Sequence, residues 1–389
     1  MLWVNTFVDG VPIWHTMRRW SRRAFLSFLG ATAGCVGTEP ESTSTSNSSP
    51  SASQTGTPST TTAESATAEH VDVREWPDEY YQGPLVSAHE HMHGWDGYSV
   101  VRADIEWYVR WMARNKVEQV IGFAADEYMG QLVDHDERLL PFAFGWDELR
   151  ENYDSLAAAF RQRLEAWPYV GLGELGFKGR VTPAGEPPPQ PDDPEALELW
   201  DLAAERGIPV MVHAAEPWRY PEEMRKEWDE FSDCPTKASL ANAMAHNRDT
   251  QFLVHATYQW QETPTGELVA DALENNPNLT YDISILHPLA YREGTFTEDE
   301  FRTRIAEMGG VETIAQRFYD EYEVVLEEYS ERLTWGMDAS AEWHYTDWAL
   351  DTWVDAGRAL LGMLPEENAR NIGYRTVSDL MYIDVMSSV

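Results

Sequence analysis

Cysteine is scarce in this chain, with two among 389 residues, Cys35 and Cys234. So few cysteines exclude the disulfide framework that stabilises many small secreted domains. Cys234 is followed by Pro235 and has no histidine close by in the sequence. A buried or loop thiol is therefore favoured over a nucleophile at this position, and the chemistry of the protein is expected to depend on other residue types.

Lysine is also scarce, and the chain is strongly acidic. Only four of the 29 basic residues are lysines, and 66 acidic residues give a net charge of -37. A uniformly acidic, lysine-poor surface is typical of proteins that stay soluble in very salty water, where screening shortens to ~3 Å at molar salt. We therefore expect a halophilic source. Such a surface repels phosphates at low salt, so we do not expect nucleic acid as a partner, although screening at molar salt means that charge alone does not exclude it.

A glycine-rich phosphate turn is missing after the first strand-like run, which argues against a doubly wound open sheet. From His70 onward, strand-like, loop and helical patterns alternate, and the strand-like runs are almost continuously apolar, as in sheets buried on both faces. Eight such runs predict an α/β protein built as a (β/α)8 TIM barrel with enlarged βα loops. The runs are Gly83–His91, Val117–Phe123, Leu139–Phe144, Tyr169–Glu174, Ile208–His213, Gln251–His255, Leu279–Ser284 and Arg332–Asp338.

Amphipathic patterns between these runs predict the helices of the barrel. The predicted helices are Ala103–Asn115, Tyr153–Trp167, Pro194–Arg206 and Ala238–His246. Two longer segments also follow strands: the proline- and glycine-rich loop Lys178–Asp193 and the insertion His287–Glu331, which is predicted to be helical. Because loops after the strands rise over the active-site face of such a barrel, both segments are expected to act as partial lids.

The first 35 residues have the pattern of an export signal. Ser21-Arg-Arg-Ala-Phe-Leu26 is a twin-arginine pattern, and the apolar run from Ala24 to Gly34 is shorter than the ~20 residues that span a bilayer. The run ends in Thr32-Ala-Gly-Cys35, which resembles a lipobox. We expect residues 1–35 to form a lipoprotein-type signal with Met17 as the natural start. A lipid on Cys35 would then anchor the exported protein to the outer face of the membrane.

Residues 36–69 consist mainly of serine, threonine, alanine, proline and glycine. A segment of this composition cannot bury a core, so it is predicted to be a disordered tether between the lipid and the barrel domain, residues 70–389.

Potential metal ligands stand at the C-terminal ends of five strand-like runs. They are His89, His91, Glu174, His213, His255 and Asp338. The i, i+2 spacing of the first two puts both imidazoles on one side of a strand, where they can chelate one cation. Four imidazoles and two carboxylates at one end of a parallel barrel are the ingredients of a metal-dependent hydrolase.

Each of these residues also has a plainer interpretation. A lone histidine at a strand end is more often a core residue, although two of them after a His-x-His pair reverse that preference. Glu174 lies among glycines in Gly171-Leu-Gly-Glu-Leu-Gly176 and needs a cation when buried, either a metal or an arginine. Asp338 could bind the metal, accept a proton from water or do both, and the alternative is a turn aspartate.

The ordered set resembles the amidohydrolase superfamily over roughly residues 83–375, with His-x-His on the first strand, Glu on the fourth, His on the fifth and sixth, and Asp on the eighth. Ser87 stands where that superfamily usually has an aspartate. The resemblance implies one or two divalent ions, zinc or manganese, that activate water. In a dinuclear site Glu174 would bridge the His89–His91 ion and a His213–His255 ion. In a mononuclear site His89, His91, His213 and Asp338 would bind the ion, and His255 would polarise the substrate.

The sequence thus predicts a metal-dependent hydrolase that acts on an ester, lactone, amide or phosphoester of a small molecule. Asp338 takes the proton from water on this hypothesis, and an Asp338→Asn variant is expected to lose turnover while keeping metal. Decarboxylation by the same fold and non-catalytic ligand capture by a tethered lipoprotein are the alternatives. Four tryptophans after strand ends are candidates for pocket lining: Trp95, Trp218, Trp260 and Trp343. Arg219 would suit a carboxylate substrate, although a solvated loop charge is favoured there.

Overall fold

The computed structural model describes residues 7–8, 11–12, 71–92, 105–124, 126, 136–145, 149, 153–177, 189–214, 235–255, 265–290 and 297–381. The chain divides into two units, Met1–Thr67 and Ala68–Val389. In the first unit, Phe7–Val8 pairs antiparallel with Val11–Pro12. The twin-arginine pattern, Cys35 and the tether lie outside the described residues. Within the described part of the chain, no helix is both long and apolar enough to cross a bilayer.

Eight parallel strands form the sheet of the second unit, and each strand pairs with the next one in the sequence. They are β1 (Leu85–His91), β2 (Val117–Ala124), β3 (Leu139–Ala143), β4 (Gly171–Phe177), β5 (Val210–Ala214), β6 (Phe252–His255), β7 (Leu279–Ile283) and β8 (Leu333–Trp335). A doubly wound sheet would reverse its strand order near the middle, and this one does not. The predicted (β/α)8 barrel is therefore confirmed.

The first and last strands meet through residues at their C-terminal ends. Glu90 forms a parallel bridge with Ala339. The amide of Asp338 donates to the carbonyl of His89 at 2.9 Å, and the amide of His91 donates to the carbonyl of Ala339 at 2.9 Å. The backbone that nearly closes the barrel is thus the backbone of predicted site residues.

Helices alternate with the strands on the outside. They are α1 (Ile105–Arg114), α2 (Leu156–Ala166), α3 (Pro194–Arg206), α4 (Pro235–His246), α5 (Thr265–Asn275), α6 (His287–Ala290), α7 (Glu298–Glu307), α8 (Val311–Glu328), α9 (Asp347–Gly362), α10 (Glu366–Arg370) and α11 (Thr376–Met381). Short 3-10 turns cover Tyr153–Ser155, Ser330–Arg332 and Glu342–His344, and a π-helical turn covers Asn371–Arg375.

The predicted helix Pro194–Arg206 matches α3 at both ends. Proline at the first helical position and Gly207 after the last, at a φ of 65°, explain these bounds, since both favour helix termini. The insertion after β7 is helical as predicted. Its longest helix, α8, packs against α5 and α9 in the outer layer, so the lid prediction is wrong for that part. Residues 178–188 of the other predicted lid lie outside the described residues.

Irregular register redirects side chains on β1 and on β4. The β1–β2 register slips between Ser87 and Glu90, and the β4–β5 register slips between Leu172 and Leu175. Because side chains alternate along a regular strand, an extra residue changes which ones face inward. On β1, Val86 packs in the inner cluster while Ser87 and Glu90 contact each other, so the irregular register turns His89 and His91 toward the interior.

Two apolar layers surround the strands. The larger one lies between strands and helices and includes Trp111, Trp200 and Trp353. The smaller one fills the barrel below the site, and the C-terminal helical segment contributes Tyr374 and Val377 to it. Its strand residues are Val86, Ala88, Ile121, Phe123, Leu140, Phe142, Met211 and Leu253.

Candidate metal centre

Asp338 lies at the centre of the site, and each of its carboxylate oxygens faces two imidazoles. Oδ1 is 3.2 Å from His89 Nε2 and 3.3 Å from His91 Nε2. Oδ2 is 3.1 Å from His255 Nε2 and also contacts His287 Nδ1. The structure therefore brings three predicted histidines to the predicted aspartate and adds a fourth histidine that the sequence argument missed.

The backbone at Asp338 explains how the carboxylate reaches this position. Asp338 has a φ of 55°, in the left-handed region that few residues other than glycine and asparagine or aspartate adopt. Its amide is held by the carbonyl of His89, which fixes the turn that follows β8. A non-glycine residue in this conformation is often part of a functional site.

A second buried aspartate orients two of the imidazoles from below. Asp282, on β7, is fully buried, and His255 Nδ1 donates to its Oδ2 at 2.7 Å. His89 Nδ1 lies 3.6 Å from the same oxygen. Because Nδ1 of His255 is held by Asp282, Nε2 is the ring nitrogen that faces Asp338 and that would bind a metal once its proton is displaced.

Gly336 has no side chain, and the carboxylate of Asp282 occupies the space beside it. A Cβ at position 336 would come within 2.6 Å of Asp282 Oδ1. Ser284 Oγ lies 3.3 Å from Asp282 Oδ2 and donates to the carbonyl of Gly336 at 2.9 Å. The Trp-Gly-Met sequence before Asp338 therefore makes room for the carboxylate on the neighbouring strand.

Glu174 and His213 form a pair beside this cluster. His213 Nδ1 lies 2.7 Å from Glu174 Oε1, and Glu174 Oε2 lies 3.5 Å from His91 Nε2. Gly173 precedes Glu174 at a φ of 123°, and a Cβ there would come within 2.5 Å of the Met211 carbonyl. Glycine is thus required for the irregular register that turns Glu174 inward.

Among the described residues, groups of three metal-ligand atoms within 4.8 Å of one another occur at three places, and Asp338 belongs to two of them. The groups are His89–His91–Asp338, His89–His255–Asp282 and His255–His287–Asp338. Glu174 and His213 are in none of these groups. Their predicted roles as metal ligands stay predictions.

Burial and charge set the protonation of the cluster. Burial alone would raise the pKa of Asp338, but the surrounding His89, His255 and His287 hold that pKa well below its usual value. Burial opposes protonation of His255, yet the carboxylates of Asp338 and Asp282 outweigh it and raise the pKa of His255 to about 10. Burial lowers the pKa of His287 to about 4. In this protonation state one imidazolium faces two buried carboxylates.

This donor set fits a divalent cation. The atoms His89 Nε2, His91 Nε2 and Asp338 Oδ1 lie 3.1, 3.2 and 3.3 Å apart. Ligand atoms at ~2.0–2.2 Å from one tetrahedral ion lie ~3.3–3.6 Å apart, close to these values. A single proton cannot satisfy three heteroatoms that face a common point, and a buried excess of carboxylate charge favours a cation.

Ser87, which stands where the superfamily pattern usually has an aspartate, connects β1 to the segment that follows β8. Its hydroxyl donates to Glu90 Oε1 at 2.9 Å and accepts from the amide of Met337 at 3.3 Å. Burial raises the pKa of Glu90 well above its usual value, and the hydrogen bond from Ser87 opposes this shift. Glu90 lies on the helix-facing side of β1, where its charge acts on Tyr108 of α1.

His344 is another residue that the sequence argument missed. Its Nδ1 accepts hydrogen bonds from the amides of Ser340 and Ala341 at 2.9 and 3.2 Å, which places the ring proton on Nε2. Trp343 and Trp353 pack against the ring. Trp343 therefore contacts the surroundings of the site, whereas Trp95, Trp218, Trp260 and Arg219 lie outside the described residues.

Several solved structures are similar to this chain at low sequence identity. A 2,6-dihydroxybenzoate decarboxylase from Rhizobium matches 77% of this chain and 99% of its own, at 12% identity and a TM-score of 0.45. A protein assigned as a 2-pyrone-4,6-dicarboxylic acid hydrolase from Pseudomonas putida matches 78% of this chain and 98% of its own, at 12% identity and a TM-score of 0.46. A dihydroxybenzoic acid decarboxylase from Polaromonas sp. JS666, with bound manganese, matches 77% of this chain and 97% of its own, at 13% identity and a TM-score of 0.44.

No family model and no curated protein matches the sequence. The fold therefore rests on the strand order described above, and the resemblance to the amidohydrolase superfamily rests on the ordered residues of the site.

Proposed function

We propose that the protein is a metal-dependent enzyme of the amidohydrolase type that hydrolyses an ester, lactone, amide or phosphoester bond of a small molecule. The observation that carries the proposal is the buried Asp338 among four imidazoles at the C-terminal ends of the strands. This end of a parallel barrel is where such enzymes place their chemistry. The alternative is a purely structural ion pair. It would need only one imidazolium beside the carboxylate of Asp338 and would not explain why three further imidazoles face it.

His89, His91 and Asp338 would hold a divalent ion, zinc or manganese. Such an ion supplies Lewis acidity and activates water for attack near neutral pH. Asp338 remains ionised because its pKa is held well below the usual value, and both a ligand and a proton acceptor require that state. His255, oriented by Asp282, directs Nε2 into the site, where it binds metal or polarises a substrate oxygen.

The test is hydrolysis of a panel of model esters, lactones, amides and phosphoesters by the full chain, purified in molar salt. We expect activity with zinc or manganese, its loss after chelation, and its recovery when the ion is restored. Asp338→Asn should be inactive, while Asp249→Asn, at an exposed aspartate, should retain activity. Metal binding without turnover on any substrate would favour ligand capture instead.

Decarboxylation is the second reaction that the same site could perform. Two of the similar structures are decarboxylases of dihydroxybenzoates, and the superfamily that this chain resembles includes members that decarboxylate instead of hydrolysing. Release of carbon dioxide from aromatic carboxylates, measured beside hydrolysis, distinguishes the two reactions. Carbon dioxide without hydrolytic turnover would replace the proposal.

We also propose that the protein is exported and anchored to the outer face of the membrane through Cys35. The twin-arginine pattern and the Thr32–Cys35 ending support this placement. Replacing Arg22 and Arg23 with lysine should keep the protein inside the cell, and Cys35→Ala should release it from the membrane fraction. Unchanged fractionation of both variants would contradict the anchor.

A further inference from the structure

The loop that follows β8 is held in shape by two of its own side chains. His344 Nδ1 accepts hydrogen bonds from the amides of Ser340 and Ala341 at 2.9 and 3.2 Å. The hydroxyl of Tyr345 lies 3.0 Å from the carbonyl oxygen of Ala339 and donates to it. These contacts fix the backbone on the C-terminal side of the site aspartate, because they provide partners for its first polar groups.

Tyr345 also reaches the first strand. Its hydroxyl contacts the carbonyl oxygen of His91 as well as that of Ala339, and the ring is buried. A hydroxyl has a single proton, so the two carbonyls share it and are kept close together. The side chains of the same two stretches meet in the site, where His91 Nε2 lies 3.3 Å from Asp338 Oδ1. Tyr345 therefore links the backbones behind two side chains that face each other.

The backbone conformation at Asp338 makes such support necessary. Its φ of 55° lies in the left-handed region, which costs an aspartate free energy and persists only where the surroundings determine it. Site geometry has to be held to within ~0.5 Å for function, and this precision comes from groups that fix the functional residues from behind. A hydroxyl that holds the backbone beside Asp338 can thus affect the site without contact with an ion or a substrate.

We propose that Tyr345 is a positioning residue of the metal centre, and that its hydroxyl sets the separation between the His91 imidazole and the Asp338 carboxylate. The proposal rests on the proposed function, because it concerns the same site. Tyr345 acts through the carbonyl oxygens of His91 and Ala339. Loss of its hydroxyl should therefore weaken metal binding and slow turnover, while the contacts that bind the substrate stay in place.

Tyr108, on α1, provides a matched control. Its ring is buried like that of Tyr345, and the centroids of the two rings lie 6.0 Å apart. Within the described part of the chain, the Tyr108 hydroxyl has no hydrogen-bond partner. Tyr108→Phe therefore removes the same atom at nearly the same place, but it breaks no hydrogen bond.

The first measurement is the affinity of the full chain for zinc or manganese in molar salt, by competition with a coloured chelator. Tyr345→Phe should bind the ion ~10–100-fold more weakly than the wild type, the usual cost of losing a group that orients metal ligands. Tyr108→Phe should match the wild type. With a substrate from the hydrolysis panel, Tyr345→Phe should lower kcat by a larger factor than it changes KM.

Hydrogen exchange of the metal-free protein tests the same contact without an ion or a substrate. Tyr345→Phe should speed exchange at the amides of His91, Ser340 and Ala341 roughly 2- to 10-fold, the factor that one hydrogen bond supplies. Tyr108→Phe should exchange like the wild type. Circular dichroism shows whether each variant is folded. If Tyr345→Phe does not fold, a fluorinated tyrosine at position 345 keeps the hydroxyl as a stronger donor and should slow exchange at the same amides.

The two measurements together decide between a positioning role and a structural one. Faster exchange in Tyr345→Phe with wild-type affinity would make Tyr345 a structural group and overturn the proposal. Unchanged exchange, or an equal loss of affinity in Tyr345→Phe and Tyr108→Phe, would also overturn it. In these cases an ion bound by the wild type leaves the proposed function in place. No bound ion in any loaded sample contradicts the proposed function itself, and the positioning role with it.

Discussion

The inside of the barrel has two layers that differ in chemistry although the same strands build both. On β5 and β6, Met211 and Leu253 belong to the apolar lower layer, and His213 and His255 follow two positions later in the polar upper layer. The i, i+2 spacing puts the members of each pair on the same face of the strand. The two layers therefore differ only in residue type, apolar in the core below and polar in the site above. The lower layer should supply stability, and the upper layer should supply chemistry.

The strongest test of this division is Asp338→Asn in the upper layer. The amide is almost the same size and tolerates a positive φ, but it cannot accept a proton or offer two anionic oxygens. We expect turnover to fall on the order of 10⁴-fold, the upper end of what one proton acceptor contributes. Because both oxygens face imidazoles, metal affinity should also fall, in contrast to the expectation from the sequence. Steady-state kinetics with saturating metal measures the effect, and activity within tenfold of wild type would contradict it.

In the lower layer, Phe142→Ala should have the opposite profile. Phe142 is fully buried, and its ring packs edge-on against Phe123 at 5.8 Å between centroids. Loss of such a side chain costs about 3–5 kcal/mol of unfolding free energy through lost burial and the remaining cavity. Denaturant melts measure the loss, and metal stoichiometry should stay that of the wild type. Val324→Ala, at an exposed position, is the control and should change stability by less than about 0.5 kcal/mol.

Asp282→Asn sharpens the comparison, since Asp282 lies beneath the site and touches it only through other residues. The carboxylate accepts a hydrogen bond from His255 Nδ1 at 2.7 Å and lies 3.6 Å from His89 Nδ1. An amide at this position can donate to Nδ1 and so favour the wrong tautomer, and such changes cost ~10–100-fold in metal affinity. The ring ¹⁵N shifts of the metal-free variant should report a changed tautomer. An unchanged tautomer together with unchanged affinity would remove Asp282 from the positioning role.

The smallest effect concerns pH and His344, at the edge of the upper layer. Burial lowers the pKa of His344 to about 3, so the folded protein binds fewer protons there than the unfolded chain between about pH 3 and 6.5. This contribution to stability is complete above pH 6.5 and is lost as the pH falls toward 3, at up to ~1.4 kcal/mol per pH unit.

Melting of the metal-free protein between pH 7 and 5 measures this slope. His344→Gln should show a shallower decline, because an amide does not titrate. A slope identical to that of the wild type would mean that other groups, such as His287, account for the acid sensitivity.

The sequence predicted the barrel well because its evidence is local. Apolar runs such as Ile208–His213 end at the residue where the strand meets the site, and Pro194 and Gly207 mark both ends of a helix. The six predicted site residues are all buried in the structure, and three histidines contact Asp338.

The residues that sequence reasoning missed depend on three-dimensional features. Asp282 lies inside the strand-like run Leu279–Ser284 and not at its end, although an acidic residue among apolar neighbours was a usable signal. His287 follows that run by three residues and begins a short helix, so the strand-end rule did not select it. Register irregularities such as the one between Ser87 and Glu90 depend on the neighbouring strand and therefore leave no clear mark in alternation along one strand.

The hydrogen bonds between β1 and β8 give the site a mechanical role as well. His89 and Asp338 belong to the first and last strands, and they are joined both by their backbones and by their side chains. A metal ion bound by both residues would link β1 to the end of β8 reversibly, although the two strands are far apart in the sequence. Metal binding would therefore restrict separation of β1 from β8. Hydrogen exchange at the amides of His91 and Asp338 would slow as more of the protein binds metal, while the exchange rates of amides in the lower layer stay unchanged.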